Sequence, residues 1–419
     1  MPTPRRYLET HPWITFQFRL DQDRLWCLLG EAASKCQHLS GTPLQPAMAL
    51  DLDQVYLVKG AVATTAIEGN TLTEDEVREL LASKRKLPPS QEYLQREVEN
   101  VIEGLRRIDD HARAGEPFVI TPEWIKEQNR ISLDGLDHEE HVVPGEYTNV
   151  QLVAGSYKAA PPEDVELLVD RLCTWLNELL RPLDTPDTPA DMCFFNAFLA
   201  ATLGHLYIAW IHPFGDGNGR TARLLECAVL AHSGVVPWVS SNLLSDHYNR
   251  TRSRYYRRLD LASRQHDVLG FLTYSAQGYV DMLREQIGRV QAEQRRVAWI
   301  NFVHEVMQKV PDGATQQRQR TVVLCMPVDR GIRTAEIRRL TPELAERYAG
   351  KTEKTLTRDV NRLRELGLIR RTVACCIRAS TRWTRFRRSP RTARRSGRRS
   401  GIRVPLGTLL WRAEGGGRR

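Results

Sequence analysis

DMCFFNAFLAATLGHLYIAWI, residues 191–211, runs without proline and with a single glycine straight into His212-Pro213-Phe214-Gly215-Asp216-Gly217-Asn218-Gly219-Arg220-Thr221-Ala222-Arg223. As a helix the apolar run spans roughly 30 Å, and with so few polar residues it has to be buried on most of its faces. Pro213 and three glycines then end regular structure, and RTARLLECAVLA, 220–231, resumes an apolar helical pattern. The expected unit is a buried helix, a Gly-rich turn and a second helix, with free backbone N–H groups of the turn aimed at whatever occupies the start of the second helix.

Unpaired N–H groups and the helix dipole both favour negative charge there, which makes phosphate the guest that chemistry suggests. Asp216 is a hard oxygen ligand suited to Mg²⁺, Asn218 is a neutral donor, and Arg220 and Arg223 are cations three apart on one helix face. His212, with an ordinary pKa near ~6.5, could take a proton from an attacking hydroxyl. Taken singly, each has a plainer reading: a helix-end histidine, a core phenylalanine, an ordinary turn. Together they resemble the Fic family signature HPFx(D/E)GNGRxxR, matched at every specified position.

The resemblance implies a helical domain that moves the AMP moiety of ATP, with Mg²⁺, onto a Ser, Thr or Tyr hydroxyl of a protein, the chain itself included. By that analogy His212 is the general base, Asp216 holds Mg²⁺ and Phe214 is a hydrophobic anchor. Gly215, Gly217, Asn218 and Gly219 would cradle the phosphates, Arg220 would support them, and Arg223 would hold the γ-phosphate. Relatives in this family also remove AMP or transfer other phosphate-linked groups, and both remain alternatives.

The segment before this core reads as helical, with amphipathic stretches at 21–37, 48–66 and 93–108. The second runs into Thr64-Thr65-Ala66-Ile67-Glu68-Gly69-Asn70, where Gly69 and Asn70 are ordinary helix-stop residues. Beside the downstream signature, Thr64, Glu68 and Gly69 also resemble the family's inhibitory motif (S/T)xxxE(G/N). That reading pairs Glu68 with Arg223 and keeps the γ-phosphate from seating. One charge-assisted hydrogen bond of about 1.5–3 kcal/mol would suppress productive ATP binding by one to two orders of magnitude.

Thr121-Pro122-Glu123 caps and opens a helix over 122–131. The alternating piece 150–153 between glycines reads as a small β-hairpin, and it resembles the Fic flap that docks a target by strand addition, with Val150 and Leu152 on it. Thr148 stands where relatives often carry Arg. Tyr248 and Tyr255, in a polar helical stretch, are candidates for the wall of an adenine pocket. After 295 come short helical segments ending in KTLTRDVNRLRELGLIRR, which looks like the recognition helix and first strand of a winged helix-turn-helix. Thr352, Lys354, Thr355, Thr357 and Arg358 would face phosphates or base edges. A protein-docking module and a homodimer contact are the other readings of this region.

The expected fold is therefore mainly α: a helical N-terminal region (1–114), a Fic-type domain with a hairpin flap (115–290), a winged-helix-like domain (295–372) and an Arg-rich tail (373–419). The formal charge of +9 is uneven, because from Arg371 onward there are fifteen arginines against the single acid Glu414, leaving the first 370 residues at −5. The tail is either a disordered nucleic-acid-binding segment or an out-of-frame continuation. A DNA-binding regulator whose Fic-like core senses nucleotide is the rival function. Eight scattered cysteines without metal-ligand spacing, and an N-terminus without an apolar secretory segment, fit a reducing cytoplasm. The absence of an unbroken run of 18 apolar residues suggests no membrane span.

Overall fold

Proline, glycine and small capping residues set several helix ends in this chain. The computed structural model describes residues 5–83, 87–155, 157–327, 330–371 and 376–378. Two compact units result, Met1–Gln294 and Arg295–Arg419. In chain order the helices are α1 (Tyr7–Thr10), α2 (Asp23–Ser40), α3 (Pro46–Ile67), α4 (Glu74–Ser83), α5 (Glu92–Ala114), α6 (Pro122–Leu133), α7 (Val165–Leu180), α8 (Ala190–Ile211), α9 (Asn218–Ala231), α10 (Trp238–Ser241), α11 (Leu243–Arg250), α12 (Arg252–Gln265) and α13 (Val268–Met307). The Thr121 side chain accepts from Trp124 N, with Pro122 at the first helical position, so α6 starts where its cap requires.

Because α8 is apolar on every face, the first unit is built around it. Phe194, Phe198, Leu203, Leu206, Ile208 and Ile211 are at most 1% exposed, and α2, α7 and α9 pack against the helix. Each such side chain contributes about 1.5–3 kcal/mol by burial, and truncating Phe198 to alanine would cost ~3–5 kcal/mol. By length and composition alone α8 is apolar enough to cross a bilayer, although it holds no unbroken run of 18 apolar residues. With 72% of its most apolar window buried inside the protein, its hydropathy is that of a core helix.

The hairpin lies further along than the alternation suggested. β1 (Val153–Ala154) pairs antiparallel with β2 (Tyr157–Lys158), in the register Val153↔Lys158 and Ala154↔Tyr157. The turn glycine, Gly155 with φ 61°, sits between the strands, and the turn fixes the register. Val150 and Leu152 therefore precede the strands. Thr148 is buried and spends its hydroxyl on the local turn, accepting from Val150 N and donating to Val150 O.

In the second unit α14 (Ala314–Cys325), α15 (Thr334–Ile337), α16 (Pro342–Arg347) and α17 (Glu353–Glu365) precede a hairpin of β3 (Ile369–Arg371) and β4 (Cys376–Arg378). Ile332 bridges to Cys376 beside that hairpin. Trp299, Val303, Val322, Ile337, Leu344 and Leu363 form its core. Asp359 is buried among them, accepting from Arg318 Nε at 2.7 Å, Gln319 Nε2 at 2.9 Å and Tyr348 Oη at 2.9 Å. The sequence reading places a domain boundary between 290 and 295. Instead α13 runs through to Met307, since that polar stretch contains no helix breaker. The described cysteines are free. The Arg-rich tail beyond Arg378 lies outside the described residues.

Candidate active site

At the end of α8 the backbone turns sharply. His212 takes a left-handed conformation, φ 53° and ψ 59°, at a position that usually takes glycine or asparagine. Such strain costs about 1 kcal/mol or more and is held only where surroundings over-determine it. Here the His212 N–H bonds to the Ile208 carbonyl at 2.8 Å, and Thr148 N donates to the Pro213 carbonyl at 2.8 Å. Phe214 is 1% exposed and packs on Tyr147, with ring centroids 5.6 Å apart. Both ends of the Asn218 amide go to the Phe214 backbone, accepting from N at 3.0 Å and donating to O at 2.6 Å. Asn218 therefore staples the loop shut, and its side chain is not a free donor for a phosphate. Gly217, at φ 77°, starts α9, leaving the first-turn N–H groups of that helix at the loop.

Glu68 meets this helix start from α3. Its Oε1 accepts from Arg223 Nη2 at 2.5 Å, and the same nitrogen donates to the Thr64 carbonyl at 3.1 Å. A Cβ on Gly219 would lie 2.2 Å from Glu68 Oε1 and 3.1 Å from Arg223 Nη1. Only glycine leaves room for the carboxylate against the first turn of α9. Glu68 is also the C-cap of α3, and Gly69 follows at φ 112°, so helix stop and long-range pair are the same feature. A negative charge at a helix C-terminus is unfavourable to that helix. Its compensation comes from Arg223, 1% exposed, and from the positive end of α9.

Burial alone would raise the Glu68 carboxyl; the Arg223 guanidinium outweighs it and holds the group below its ordinary 4.5. A carboxyl lowered in this way keeps its pairing above its ordinary range and loses it only as pH falls through the folded value. Between pH 5 and 8 titration therefore does not break the pair. His212 is lowered below 6.5, chiefly by burial, with the Ala209 backbone and the Glu68 and Asp216 charges pulling the other way. The ring is thus neutral and able to accept a proton at neutral pH. Nε of Arg220 and Nε of Arg223 are buried without a hydrogen-bond partner.

The Asp216 carboxylate is half exposed, accepting from Gly217 N at 2.5 Å through Oδ1 and from Arg220 Nη2 at 3.1 Å through Oδ2. Among the described residues no group of three or more His, Cys, Asp or Glu side chains is placed to hold a metal. A cation here would have one protein carboxylate and would complete its shell from phosphates and water, a set that suits Mg²⁺.

Tyr248 and Tyr255, read from sequence as pocket walls, are in the core at 0% and 3% exposure. Tyr248 Oη donates to Glu226 Oε1 at 2.9 Å, and Tyr255 Oη meets His205 Nε2 at 2.9 Å. Their rings stack on each other with centroids 4.7 Å apart, so neither presents an open face. Sequence reasoning missed His205 and Glu226, although an ionisable residue inside an apolar run always needs a partner. It also missed Tyr256, 45% exposed, whose hydroxyl donates to the Ile67 carbonyl at the end of α3. Glu97, on α5, completes the ring of polar groups by approaching Arg220 Nη1 at 3.5 Å.

Residues 119–230 match the Fic/DOC family model. The chain is 27% identical over 217 residues to a protein adenylyltransferase Fic of Nematostella vectensis, covering 51% of this chain and 44% of that one. It is 29% identical over 235 residues to protein adenylyltransferase fic-1 of Caenorhabditis briggsae, covering 56% and 42%. The match thus spans about two fifths of the length of these curated relatives. A Fic family protein from Desulfovibrio desulfuricans G20 shares the fold at a TM-score of 0.52 and 20% identity, covering 84% of this chain and 93% of that one. The loop between α8 and α9 lies near the end of residues 119–230, the part of the chain that is similar to the Fic/DOC family.

Proposed function

We propose that this chain transfers AMP from ATP to hydroxyl side chains of proteins, itself included, and is held back by Glu68. The observation that carries the reading is the Glu68 carboxylate lying against Gly219 and Arg223 at the start of α9. That place accepts an oxyanion, and a phosphate oxygen is a direct competitor for it. The Nε atoms of Arg220 and Arg223, buried without a partner, are further donors beside that place.

In the proposed reaction the target hydroxyl oxygen forms a bond to the α-phosphorus, the bond from that phosphorus to the bridging oxygen breaks, and pyrophosphate leaves. Neutral His212 takes the hydroxyl proton. First-turn N–H groups of α9 and the Gly217–Gly219 backbone stabilise charge on the phosphate oxygens, and Arg220 and Arg223 hold the outer phosphates. Mg²⁺, held by Asp216 and the phosphates, would supply neutralisation of that charge. The loop places the groups before the reaction starts, so most of the rate comes from positioning. The β1–β2 hairpin, with Val153 64% exposed on β1, offers an edge for a target segment.

The test is incubation of purified wild-type and Glu68→Gly protein with α-phosphate-labelled ATP. Label on the protein, stronger in the variant, supports the proposal; label absent from both refutes it. Release of AMP from pre-labelled protein by the wild type would point to the reverse reaction.

For the second unit we propose a winged-helix nucleic-acid-binding role. Exposed Thr352, Lys354, Thr357 and Arg358 at the start of α17, followed by the β3–β4 hairpin, support it. A mobility shift of duplex DNA that weakens in Lys354→Ala/Arg358→Ala protein is the check; no shift at low salt removes the role.

A further inference from the structure

Three elements converge on Arg220. Its Nη2 donates to Asp216 Oδ2 at 3.1 Å, and its Nη1 lies 3.5 Å from Glu97 Oε1 and 3.5 Å from the Ser132 carbonyl. The guanidinium is 5% exposed, and Glu97, on α5, is 19% exposed. The other Glu97 oxygen, Oε2, accepts from Asn70 Nδ2 at 2.9 Å. That amide also donates to the Leu94 carbonyl at 2.8 Å, while its oxygen accepts from Leu72 N at 3.0 Å. Asn70 stands two residues beyond Glu68. A continuous polar path, Asn70–Glu97–Arg220–Asp216, therefore joins the end of the inhibitory helix to the loop carboxylate.

We propose that Glu97 is a positioning residue for the phosphate site, anchoring one edge of Arg220 so that its other edge can exchange Asp216 for a phosphate oxygen. The inference rests on the reading of the loop as a nucleotide-phosphate site. An arginine with one carboxylate partner closes onto it bidentately. Without Glu97, Arg220 would close on Asp216, neutralise the carboxylate suited to Mg²⁺, and turn its donors away from the phosphates. With Glu97 in place the guanidinium is shared, and neither carboxylate saturates it. Asn70 fixes the anchor to the segment that carries Glu68, so the two arginines of α9 are set from neighbouring points of one connection.

Charge alone predicts the opposite sign. Glu97 adds negative potential near an anion site, so if it acted only through charge, removing it would tighten nucleotide binding. If it anchors Arg220, removing it weakens binding.

The experiment uses the full chain in the Glu68→Gly background, with ATP affinity measured by calorimetry with and without Mg²⁺, and AMP transfer measured at saturating ATP. Glu97→Ala should weaken binding of ATP with Mg²⁺ by about tenfold and slow transfer by about tenfold. Glu97→Gln keeps an oxygen that accepts from Arg220, so it should stay within about threefold of the parent. Asn70→Ala should shift both quantities in the same direction by less, and the Asn70→Ala/Glu97→Ala pair should be no worse than Glu97→Ala alone, since the two act through one path. Should Glu97→Ala fail to fold, Glu97→Asp carries the test, because its shorter arm has to weaken binding as well.

Unchanged or tighter binding in Glu97→Ala overturns the proposal, as does an equal loss in Glu97→Gln. A parent that binds ATP but transfers nothing refutes the transferase reading and leaves the binding comparison to decide Glu97. A parent that binds no ATP refutes both.

Discussion

Glu68 in the first unit and Asp359 in the second each pair with a largely buried arginine far away in sequence, but their surroundings differ. Asp359 has a side chain 4% exposed and uses both oxygens, with Arg318, Gln319 and Tyr348 as donors. Glu68 is 34% exposed and, among the described residues, takes one hydrogen bond, from Arg223. A carboxylate satisfied on all sides and sealed in a core is part of the fold, since any change leaves a buried charge unpaired. One left partly in water, at the unfavourable end of its own helix, is replaceable by another anion. The difference separates a structural ion pair from one that can act as a switch.

The largest effect should come from breaking the sealed pair. Asp359→Ala leaves Arg318 buried without its partner and should destabilise the second unit by about 3–5 kcal/mol, read as lost hydrogen-exchange protection in α14 and α17. Glu68→Gln should change the first unit by less than about 1 kcal/mol, because its pair is partly solvated. Equal losses at the two sites would erase the contrast.

Next in size is the proton acceptor. In the Glu68→Gly background, His212→Ala should lower AMP transfer by ~10² or more while calorimetry still detects ATP binding. Loss of binding together with transfer would instead make His212 a loop-shaping residue. That outcome has physical footing in its left-handed backbone, so His212→Asn, which tolerates that conformation, is the companion variant and should be as inactive as the alanine.

A smaller effect concerns pH. Since burial lowers His212 below 6.5, the base stays neutral further into the acid range. At pH 6.5 the relieved enzyme should retain more than about half of its pH 7.5 rate, because half would mark an unshifted group. An acid limb with its midpoint above 6.5 would show that charge around the ring, not burial, governs it.

Much of this site was legible in the chain because its signals are local. The apolar run into Pro213 and the glycines bounded α8 and α9 to within a residue or two, and Glu68 stood out only because Thr64, Glu68 and Gly69 resemble the family's inhibitory motif. Side-chain direction was not legible. Glu97 sits on an amphipathic helix, where a glutamate looks like any solvated charge, and only the fold turns it toward Arg220. Tyr248 and Tyr255 fall in a polar stretch, and their burial depends on His205 and Glu226, which arrive from other helices. The hairpin was displaced because alternation alone does not say which glycine makes the turn. The α13 helix runs past the expected boundary because a change in composition without proline or glycine does not break a helix.

The most direct measurement is self-labelling by α-phosphate-tagged ATP in four proteins at matched folded concentration: wild type, Glu68→Gly, Arg223→Ala and the double variant. If Glu68 occupies the place of the γ-phosphate on Arg223, Glu68→Gly should label about tenfold or more above wild type. The double variant should lose that gain, because the contested group is gone and the effects cannot add. Labelling unchanged by Glu68→Gly, or a gain that survives in the double variant, would contradict the account.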